Sequence, residues 1–350
     1  MGLLDLPSEL LLSLPGYISN IEDFTNTASS CRTLRTLFAQ THPNRILQLA
    51  AASSRVFFRP DPWFLVAATA RQVSEWGLES EENTQALRFA FRGGIEFLLE
   101  LCVSVAGLTM DDIRRMHASR FEIINPVSDM IDRMAGKQWY ATPNFWNGGV
   151  SEAYTIECEP MRALFQLAIY GELFESTLQA WLEPEAQQPK HSIHTRLDYV
   201  RYCILDWGAT TPSRSGVLMP VERVRGPYAG EDAYGTTSGD GVAMNYVLRC
   251  GRWERPWEAI RRQIGPDFEE DWRQEIWNQA VQTQGLAGLE LLRPGGVEKW
   301  RAKLEKIRTN VARIPNQPPK ALVSDNNVIY SELPNLRDEA YIYFRSYWGG

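Results

Sequence analysis

Apolar side chains in the first forty residues recur at the three- and four-residue spacing of short amphipathic helices. Leu10, Leu11 and Leu14 fall on one face of the first predicted helix. Pro7 suits the start of that helix because its φ is fixed and its missing N–H would have no partner there. A second helix is predicted to begin within residues 20–23, where short polar side chains can cap free backbone N–H groups.

The second and third predicted helices have apolar stripes of their own. Phe24 and Ala28 lie four residues apart in the second helix. The stripe of the third helix is formed by Cys31, Leu34, Leu37 and Phe38. About forty residues bury too little surface for secure stability on their own. We therefore expect these helices to lean on a partner or on the rest of the chain.

A helical period continues through most of the remaining chain, interrupted by a proline-rich break at residues 59–62. It predicts helices over residues 46–51, 63–76, 81–105, 113–121, 126–135, 160–174, 197–207, 245–250, 257–264, 268–283 and 297–313. The region near residues 183–194 is predicted to be a loop. Residues 209–241 are crowded with Gly, Pro, Ser and Thr, so we expect a surface excursion or a mobile lid there.

The pattern changes near the C-terminal end. Residues 321–323 and 328–330 flank a polar turn and predict a β-hairpin, and the tyrosines of residues 341–347 alternate with period two. There is no internal repeat, which argues against a repeat solenoid. The sequence therefore predicts a mainly α fold with a small C-terminal β-hairpin or sheet.

The composition excludes several classes of protein. The 350 residues, 44% of them hydrophobic, suffice for one large domain or about two ordinary ones. A formal net charge of -7 disfavours a nucleic-acid binder with a wholly basic surface but allows local basic faces. The five cysteines are far apart and include no Cys-x-x-Cys pair, so we expect free thiols in a reducing compartment.

The apolar runs bear on localisation. The first residues lack the basic region of a signal peptide, and Asp5 and Pro7 interrupt their apolar positions. No apolar run approaches the roughly twenty residues that a membrane helix needs. We therefore expect a soluble protein, cytoplasmic or nuclear, with no membrane partner.

The order of residues in the predicted N-terminal helices resembles an F-box over residues 3–48. The likeness rests on the runs Leu6-Pro7-Ser8-Glu9-Leu10-Leu11, Asp23-Phe24 and Cys31-Arg32-Thr33-Leu34-Arg35. F-boxes dock a Skp-type adaptor of cullin ubiquitin ligases. The resemblance therefore implies such contacts for Leu6, Pro7, Leu10, Leu11 and Leu14. The rest of the family pattern maps onto Ile21, Phe24, Ala28, Cys31, Leu34 and Leu37.

One departure from the F-box pattern concerns the length of the first helix. Pro15-Gly16 stands where the family usually continues this helix with apolar residues. Because proline inside a helix removes a hydrogen bond and clashes with the preceding turn, we expect the first helix to end near Leu14. The fold class then becomes an F-box-like three-helix module, residues 1–50, packed on a larger helical domain, residues 60–350.

Beyond residue 60 the chain resembles a group of filamentous-fungus proteins. The likeness rests on Phe145-Trp146-Asn147-Gly148-Gly149-Val150, Tyr170-Gly171-Glu172-Leu173-Phe174 and Gly288-Leu289-Glu290-Leu291-Leu292-Arg293-Pro294-Gly295. It implies no activity.

An aromatic loop is the candidate pocket of the body. Its aromatic rings and polar tips suit either the wall of a ligand pocket or a packed corner. The candidate residues are Trp139, Tyr140, Asn144, Phe145, Trp146, Asn147 and Glu152. Four acids stand in apolar surroundings, and a buried acid is either paired with arginine or functional. They are Glu152, Glu157, Glu172 and Asp206.

Other polar clusters have simpler interpretations. His191 and His194 are close in sequence, but no further ligand flanks them, so a solvated loop is expected rather than a metal site. Asp111 and Asp112 are explained by capping and dipole compensation at a helix start, and His117 points elsewhere.

Two basic stretches leave a choice open. Arg249, Arg252, Arg255, Arg261 and Arg262 interleave with Trp253 and Trp257. Another basic helix carries Lys299, Arg301, Lys303, Lys306 and Arg308. Such faces can hold RNA through charge and stacking, or they can pair with acids elsewhere on the surface.

Two hypotheses follow. In the first, the chain is an F-box-like adaptor that links an unknown protein client to a Skp-type subunit of a cullin ligase, with no catalysis and no cofactor or metal. In the second, it is an enzyme of fungal secondary metabolism, such as a transfer-RNA-dependent cyclodipeptide synthase, in which the N-terminal helices are structural. Nucleic acid is a partner only in the second.

Overall fold

The computed structural model describes residues 5–52, 62–135, 160–204, 210–212, 218–220, 244, 247–248, 251–323 and 328–340. Its α-helices are, in chain order, α1 (Ser8–Ser13), α2 (Ile21–Ser30), α3 (Arg32–Phe38), α4 (Pro43–Ala51), α5 (Pro62–Leu78), α6 (Glu81–Arg92), α7 (Gly94–Val105), α8 (Met110–Ser119), α9 (Asn125–Ala135), α10 (Pro160–Leu182), α11 (Ile193–Tyr199), α12 (Gly251–Ile264), α13 (Asp271–Gln282), α14 (Gly285–Leu291) and α15 (Gly296–Arg313).

The described strands form two small antiparallel pairs. β1 (Thr210–Pro212) pairs with β2 (Leu218–Pro220), and β3 (Lys320–Val323) pairs with β4 (Val328–Ser331) with Lys320 opposite Ser331. The mainly α fold with a small C-terminal hairpin is thereby confirmed. The β1–β2 pair was not predicted, because three-residue strands are too short for a period to emerge within residues 209–241. Among the described helices, none combines the length and apolar character that crossing a membrane requires.

The first helix is short, as the proline at position 15 predicts. α1 ends at Ser13, and Leu14–Tyr17 continue as a 3-10 turn that accommodates Pro15 in its first turn. The helix begins one residue later than predicted. Pro7 is its N-cap, with ψ at 146°, and the Pro7 carbonyl accepts hydrogen bonds from the N–H groups of Leu10 and Leu11.

Polar caps define the next two helices. The side chain of Asn20 accepts a hydrogen bond from the N–H of Asp23 at 2.9 Å, which confirms the predicted start of α2. Cys31 has extended backbone between α2 and α3, and its sulfur accepts the N–H of Leu34. The two helices close on each other through Phe24 and Phe38, whose ring centroids are 4.9 Å apart.

Helix α4 joins the N-terminal helices to the body. The Nδ2 of Asn44 donates to the carbonyls of Val103 and Ala106 at 2.7 and 2.9 Å, at the end of α7. The N–H of Leu108 donates to the carbonyl of Pro43 at 3.0 Å. This joint is therefore built from backbone and amide hydrogen bonds as well as apolar packing. The boundary predicted between residues 50 and 60 lies mostly outside the described residues, so the division into domains stays a prediction.

The helix predicted over residues 81–105 is wrong as one element. It is broken into α6 and α7 by Gly93 and Gly94, and Gly94 has φ of 71°, which glycine adopts without strain. The apolar repeat runs through the break, so the periodicity alone did not reveal it. Two other helices continue through π turns, at Arg120–Ile124 after α8 and at Val200–Ile204 after α11.

Helix α10 is the centre of the body. It is buried on almost every side and packs on α5, α9, α14 and α15. Gly171 of α10 lies against Gly285, where an added Cβ would come within 2.2 Å of the Gly285 nitrogen. Gly285 itself has φ of 61°. The two glycines allow α14, a helix that the periodicity did not predict, to approach α10 at backbone distance.

Candidate functional site

Helix α1 exposes apolar side chains that a folded protein would ordinarily cover. Leu10 is 52% exposed, Leu12 42% and Tyr17 83%. Pro7 is also exposed, whereas Leu6 and Leu14 are half-buried and Leu11 is buried. Of the five residues with implied adaptor contacts, two are therefore open to solvent, two are partly open, and Leu11 belongs to the core.

The exposed residues, together with the half-buried Leu14, form a row along the helix. Pro7, Leu10, Leu14 and Tyr17 are spaced by three, four and three residues, which places them on one side of the continuous helical run. We call these four residues the α1 face. Leu12 is also exposed, but it is two residues from Leu10 and two from Leu14 and so points away from the face.

A buried leucine anchors the helix that carries the α1 face. Leu11, 3% exposed, is part of the same core as Phe24, Leu34 and Phe38 of α2 and α3. This core holds the helix, because a buried leucine contributes about 1.5–3 kcal/mol relative to an exposed one.

Arg45 of α4 fixes the end of the α1 face. Its guanidinium donates to the carbonyls of Pro15 at 3.2 Å, Gly16 at 3.1 Å and Ile18 at 2.7 Å. These carbonyls follow the end of α1 and would otherwise need other donors. Together with the bonds of Asn44 to α7, this clamp ties the orientation of α1 to the body. Sequence reasoning missed both residues, because an Arg and an Asn on an amphipathic helix are usually solvated.

The predicted aromatic pocket lies outside the described residues. This applies to Trp139, Tyr140, Asn144, Phe145, Trp146, Asn147 and Glu152, and likewise to Glu157 and Asp206. Glu172 is the described member of the four candidate buried acids.

Glu172 is buried and paired, which makes it a structural acid. Arg71 of α5 donates its Nε to Glu172 at 3.0 Å and its Nη2 to the neighbouring Glu175, and the N–H of Leu286 donates to Glu172 at 2.8 Å. Lys303 of α15 reaches Glu175 at 2.5 Å. Burial raises the pKa of Glu172, and the charge of Arg71 opposes that rise. Two acids thus meet two cations where α5, α10, α14 and α15 converge.

A second buried cluster ties the C-terminal part of the chain to the body. Arg196 and Glu339, each with a side chain only 1% exposed, form an ion pair of 2.8 Å, and the Tyr170 hydroxyl donates to Glu339 at 2.7 Å. Burial raises the pKa of Glu339, against the pull of Arg196. Arg196 also donates to the carbonyls of Ser331, the last residue of β4, and of Leu333 beyond it. No signal in the sequence connects these three residues.

His191 lies in a loop, as predicted, but it is buried, so its expected exposure to solvent is wrong. It is 3% exposed, and its Nε2 lies 3.0 Å from the hydroxyl of Ser74, which donates its single proton to the Leu173 carbonyl at 2.5 Å. His191 must therefore donate from Nε2, which leaves Nδ1 buried without a hydrogen-bond partner. Burial lowers the pKa of His191 to about 4. Because the serine proton points to a carbonyl, the pair is not an activated nucleophile. His194 is exposed.

The cations of α15 are largely neutralised by acids. Ion pairs of 2.5 to 2.7 Å join them to neighbouring carboxylates, Lys299–Glu290, Arg301–Glu298, Lys303–Glu175 and Lys306–Glu183. Arg308 instead stacks over the ring of Phe268 at 4.4 Å. Of the two alternatives for this basic helix, the contacts favour pairing with acids on the protein surface.

The arginines of α12 are also partly paired. Arg261 and Arg262 bond to Glu254 and Glu258 of the same helix, while Arg255 is exposed. Trp253 and Trp257 stack edge-on in the core, so they are not available to stack on bases. Arg249 and the side chain of Arg252 lie outside the described residues.

The remaining polar candidates have structural roles. Thr109 and Asp112 form a reciprocal capping box at the start of α8, as predicted for the acids there. Within the described residues, no group of three or more His, Cys, Asp or Glu side chains is arranged to hold a metal ion. Cys102 and Cys203 are buried and form no disulfide, and burial raises the pKa of Cys102 to about 12.

No family model, curated protein or solved structure matches this chain.

Proposed function

We propose that the chain is a recognition adaptor whose N-terminal helices dock a Skp-type subunit of a cullin ubiquitin ligase, while the helical body recruits a protein client. The observation that carries the proposal is the α1 face, an apolar row in which Pro7, Leu10 and Tyr17 are exposed, on a helix held in place by the buried Leu11. Its residues include three of the five to which the F-box resemblance assigns adaptor contacts, Pro7, Leu10 and Leu14.

The joint between α4 and the body supports an adaptor role. A ligase adaptor has to hold a client at a defined position relative to the ligase, and a loosely tethered docking segment does this poorly. Asn44 and Arg45, one residue apart, bond respectively to the end of α7 and to the turn after α1. The direction of the α1 face is thereby set by the body, which suits an adaptor.

The shortness of α1 limits the docking surface. Pro15 replaces the continuation of the helix with a 3-10 turn, and Tyr17 at the end of that turn is the most exposed of the large apolar side chains on the described residues. In the proposed complex, Tyr17 extends the apolar contact that a longer first helix would supply.

Co-purification with a Skp-type adaptor tests the proposal. The full chain is co-expressed with the adaptor, as wild type, as Leu10→Asp and as the matched control Leu12→Asp. Both leucines are exposed on the same helix, so neither change should unfold it. We expect the wild type and Leu12→Asp to retain the adaptor and Leu10→Asp to lose it.

The same experiment can reject the proposal. A wild-type chain that never retains the adaptor, with a known F-box protein as positive control, contradicts it directly. Equal loss in Leu10→Asp and Leu12→Asp contradicts the assignment of the α1 face. Circular dichroism of each variant confirms that the helical content is unchanged.

We do not advance the enzyme hypothesis as a second function. It depends on basic faces for RNA and on an aromatic substrate loop. The five basic residues of α15 from Lys299 to Arg308 are engaged by acids or aromatic rings, and the loop lies outside the described residues, so no specific observation favours it.

A further inference from the structure

A cavity of about 190 Å³ lies between α5, α8 and the π turn at Arg120–Ile124, far in sequence from the α1 face. Its wall is mostly apolar and is formed by Phe64, Ala68, Leu108, Met116, Ile123 and Leu286. Asp112 and Arg115 stand at its rim, and Ser119 contributes a hydroxyl.

The size and lining of the cavity define what fits. An apolar protein cavity of about 150 Å³ stays dry and binds benzene or xenon, because water finds too few hydrogen-bond partners there. The present cavity is somewhat larger and opens to solvent, and seven of the ten residues that line it are apolar. It therefore suits one aromatic ring or a short branched alkyl group better than a cluster of waters.

The charge at the rim restricts the ligand further. Arg115 and Asp112 form an ion pair with each other, and Asp112 also caps the start of α8 through Thr109. The two charges cancel, so neither selects a charged ligand. The hydroxyl of Ser119 leaves room for one hydrogen bond.

The backbone beside the cavity also has an unusual conformation. The N–H of Asn125 donates to the carbonyl of Arg120, five residues back, so the helix between α8 and α9 widens into a π turn beside the cavity. π turns are rare and occur often at functional sites. Met116 faces the same space, and its flexible thioether adapts to ligands of varied shape.

We infer that this cavity binds a neutral, compact and mainly apolar molecule, a substituted benzene or a similarly sized heterocycle with one hydroxyl or N–H group. The site does not involve the α1 face, and binding is measured on the protein alone. Its outcome is therefore independent of the proposed docking to a Skp-type adaptor.

Titration with two matched probes tests the inference. Benzyl alcohol and benzoate have the same ring and differ in charge, and their binding to the full chain is followed by NMR with labelled methionine and isoleucine methyl groups. We expect saturable shifts at Met116 and Ile123 with benzyl alcohol and affinity weaker by roughly tenfold or more for benzoate.

Three variants locate the site. Ala68→Leu and Ser119→Leu fill the cavity from opposite walls, and we expect each to weaken benzyl alcohol binding by roughly tenfold or more. Ala118→Leu adds the same side chain at an exposed position of α8 and should leave binding unchanged. Filled variants that bind as well as wild type overturn the inference.

The wild type alone also provides a decisive result, should a filled variant fail to fold. A bound ring must give nuclear Overhauser contacts to the Met116 methyl group. Benzyl alcohol that produces no such contact, or shifts that never saturate, overturns the inference without reference to any variant.

Discussion

Apolar side chains are usually buried and acidic ones exposed, and helices α1 and α10 each depart from one half of this rule. α1 exposes Leu10 and Leu12 to solvent, whereas α10 buries Glu172 and Glu175 in the centre of the body. The acids of α10 have their partners within the chain, in Arg71 and Lys303. Among the described residues, none covers Leu10 or Leu12 of α1. The buried acids are therefore structural, whereas the exposed leucines of α1 are the basis of the proposed docking.

Removing one member of the buried ion pair between Arg196 and Glu339 should have the largest effect on stability. Glu339→Ala leaves Arg196 buried and without its carboxylate, and we expect the free energy of unfolding to fall by about 3–5 kcal/mol. Urea denaturation followed by circular dichroism measures it. The control Asp111→Ala breaks an ion pair whose two side chains are mostly exposed, and it should change stability little.

A double variant sharpens this result. Arg196→Met combined with Glu339→Leu removes both charges, so part of the lost stability should return, limited by the Tyr170 hydroxyl that then lacks its acceptor. A double variant less stable than Glu339→Ala would mean that the ion pair stabilises the fold by more than cancelling its two buried charges.

Acidification should destabilise the body through His191. Its pKa is about 4 in the folded protein, below the usual 6.5, because burial disfavours the charged ring and Arg196 adds repulsion. As pH falls below 6.5 the unfolded chain takes up the proton first, so stability is lost between about pH 6.5 and 4, by about 3 kcal/mol at most.

The variant His191→Gln isolates this contribution. Glutamine can still donate to Ser74 but does not titrate, so the difference in unfolding free energy between variant and wild type should narrow from pH 7 to pH 4. Urea denaturation at several pH values measures it. Parallel pH profiles for the two proteins would contradict the assignment to His191.

Crowding the joint between the N-terminal helices and the body should loosen it. A Cβ added at Gly107 would lie 2.7 Å from the Cβ of Pro43 and 2.8 Å from the nitrogen of Asn44. We expect Gly107→Ala to cost about 1–3 kcal/mol and to speed hydrogen exchange in α1–α4 more than in α10. Gly16→Ala is the control, since nothing lies within 4 Å of its added Cβ.

The smallest effect is expected on the α1 face itself. Leu10→Ser removes an exposed apolar side chain, so the free energy of unfolding should change by no more than about 0.5 kcal/mol. Urea denaturation checks this. A loss comparable to that of a buried leucine would mean that Leu10 is part of the core, and the contrast with α10 would disappear.

Local signals predicted much of the helical framework. The caps at Asn20 and Thr109 bond to residues three positions ahead, and the early end of α1 follows from Pro15, so both are readable from adjacent residues. The break at Gly93 was missed because the apolar stripe continues across it. Helix α14 was missed because its seven residues are too short for a clear period.

The polar clusters were less accessible to prediction. Glu172 was singled out as a candidate buried acid because apolar residues surround it in sequence, and its partner, Arg71, is 101 positions away. The burial of His191 was missed because its short polar neighbours indicate a solvated loop, whereas that burial depends on Ser74 of α5. Pairings at such separations leave no trace in a single sequence.

The sequence by itself determined the helical class, the C-terminal hairpin, the caps and the short first helix, because each depends on neighbouring residues and on the period of apolar positions. The tertiary structure decided which apolar side chains of α1 stay exposed, which charged side chains are buried, and how Asn44 and Arg45 orient α1. These outcomes depend on contacts between segments that are distant in sequence, because tertiary packing determines which side chains are buried and which are paired.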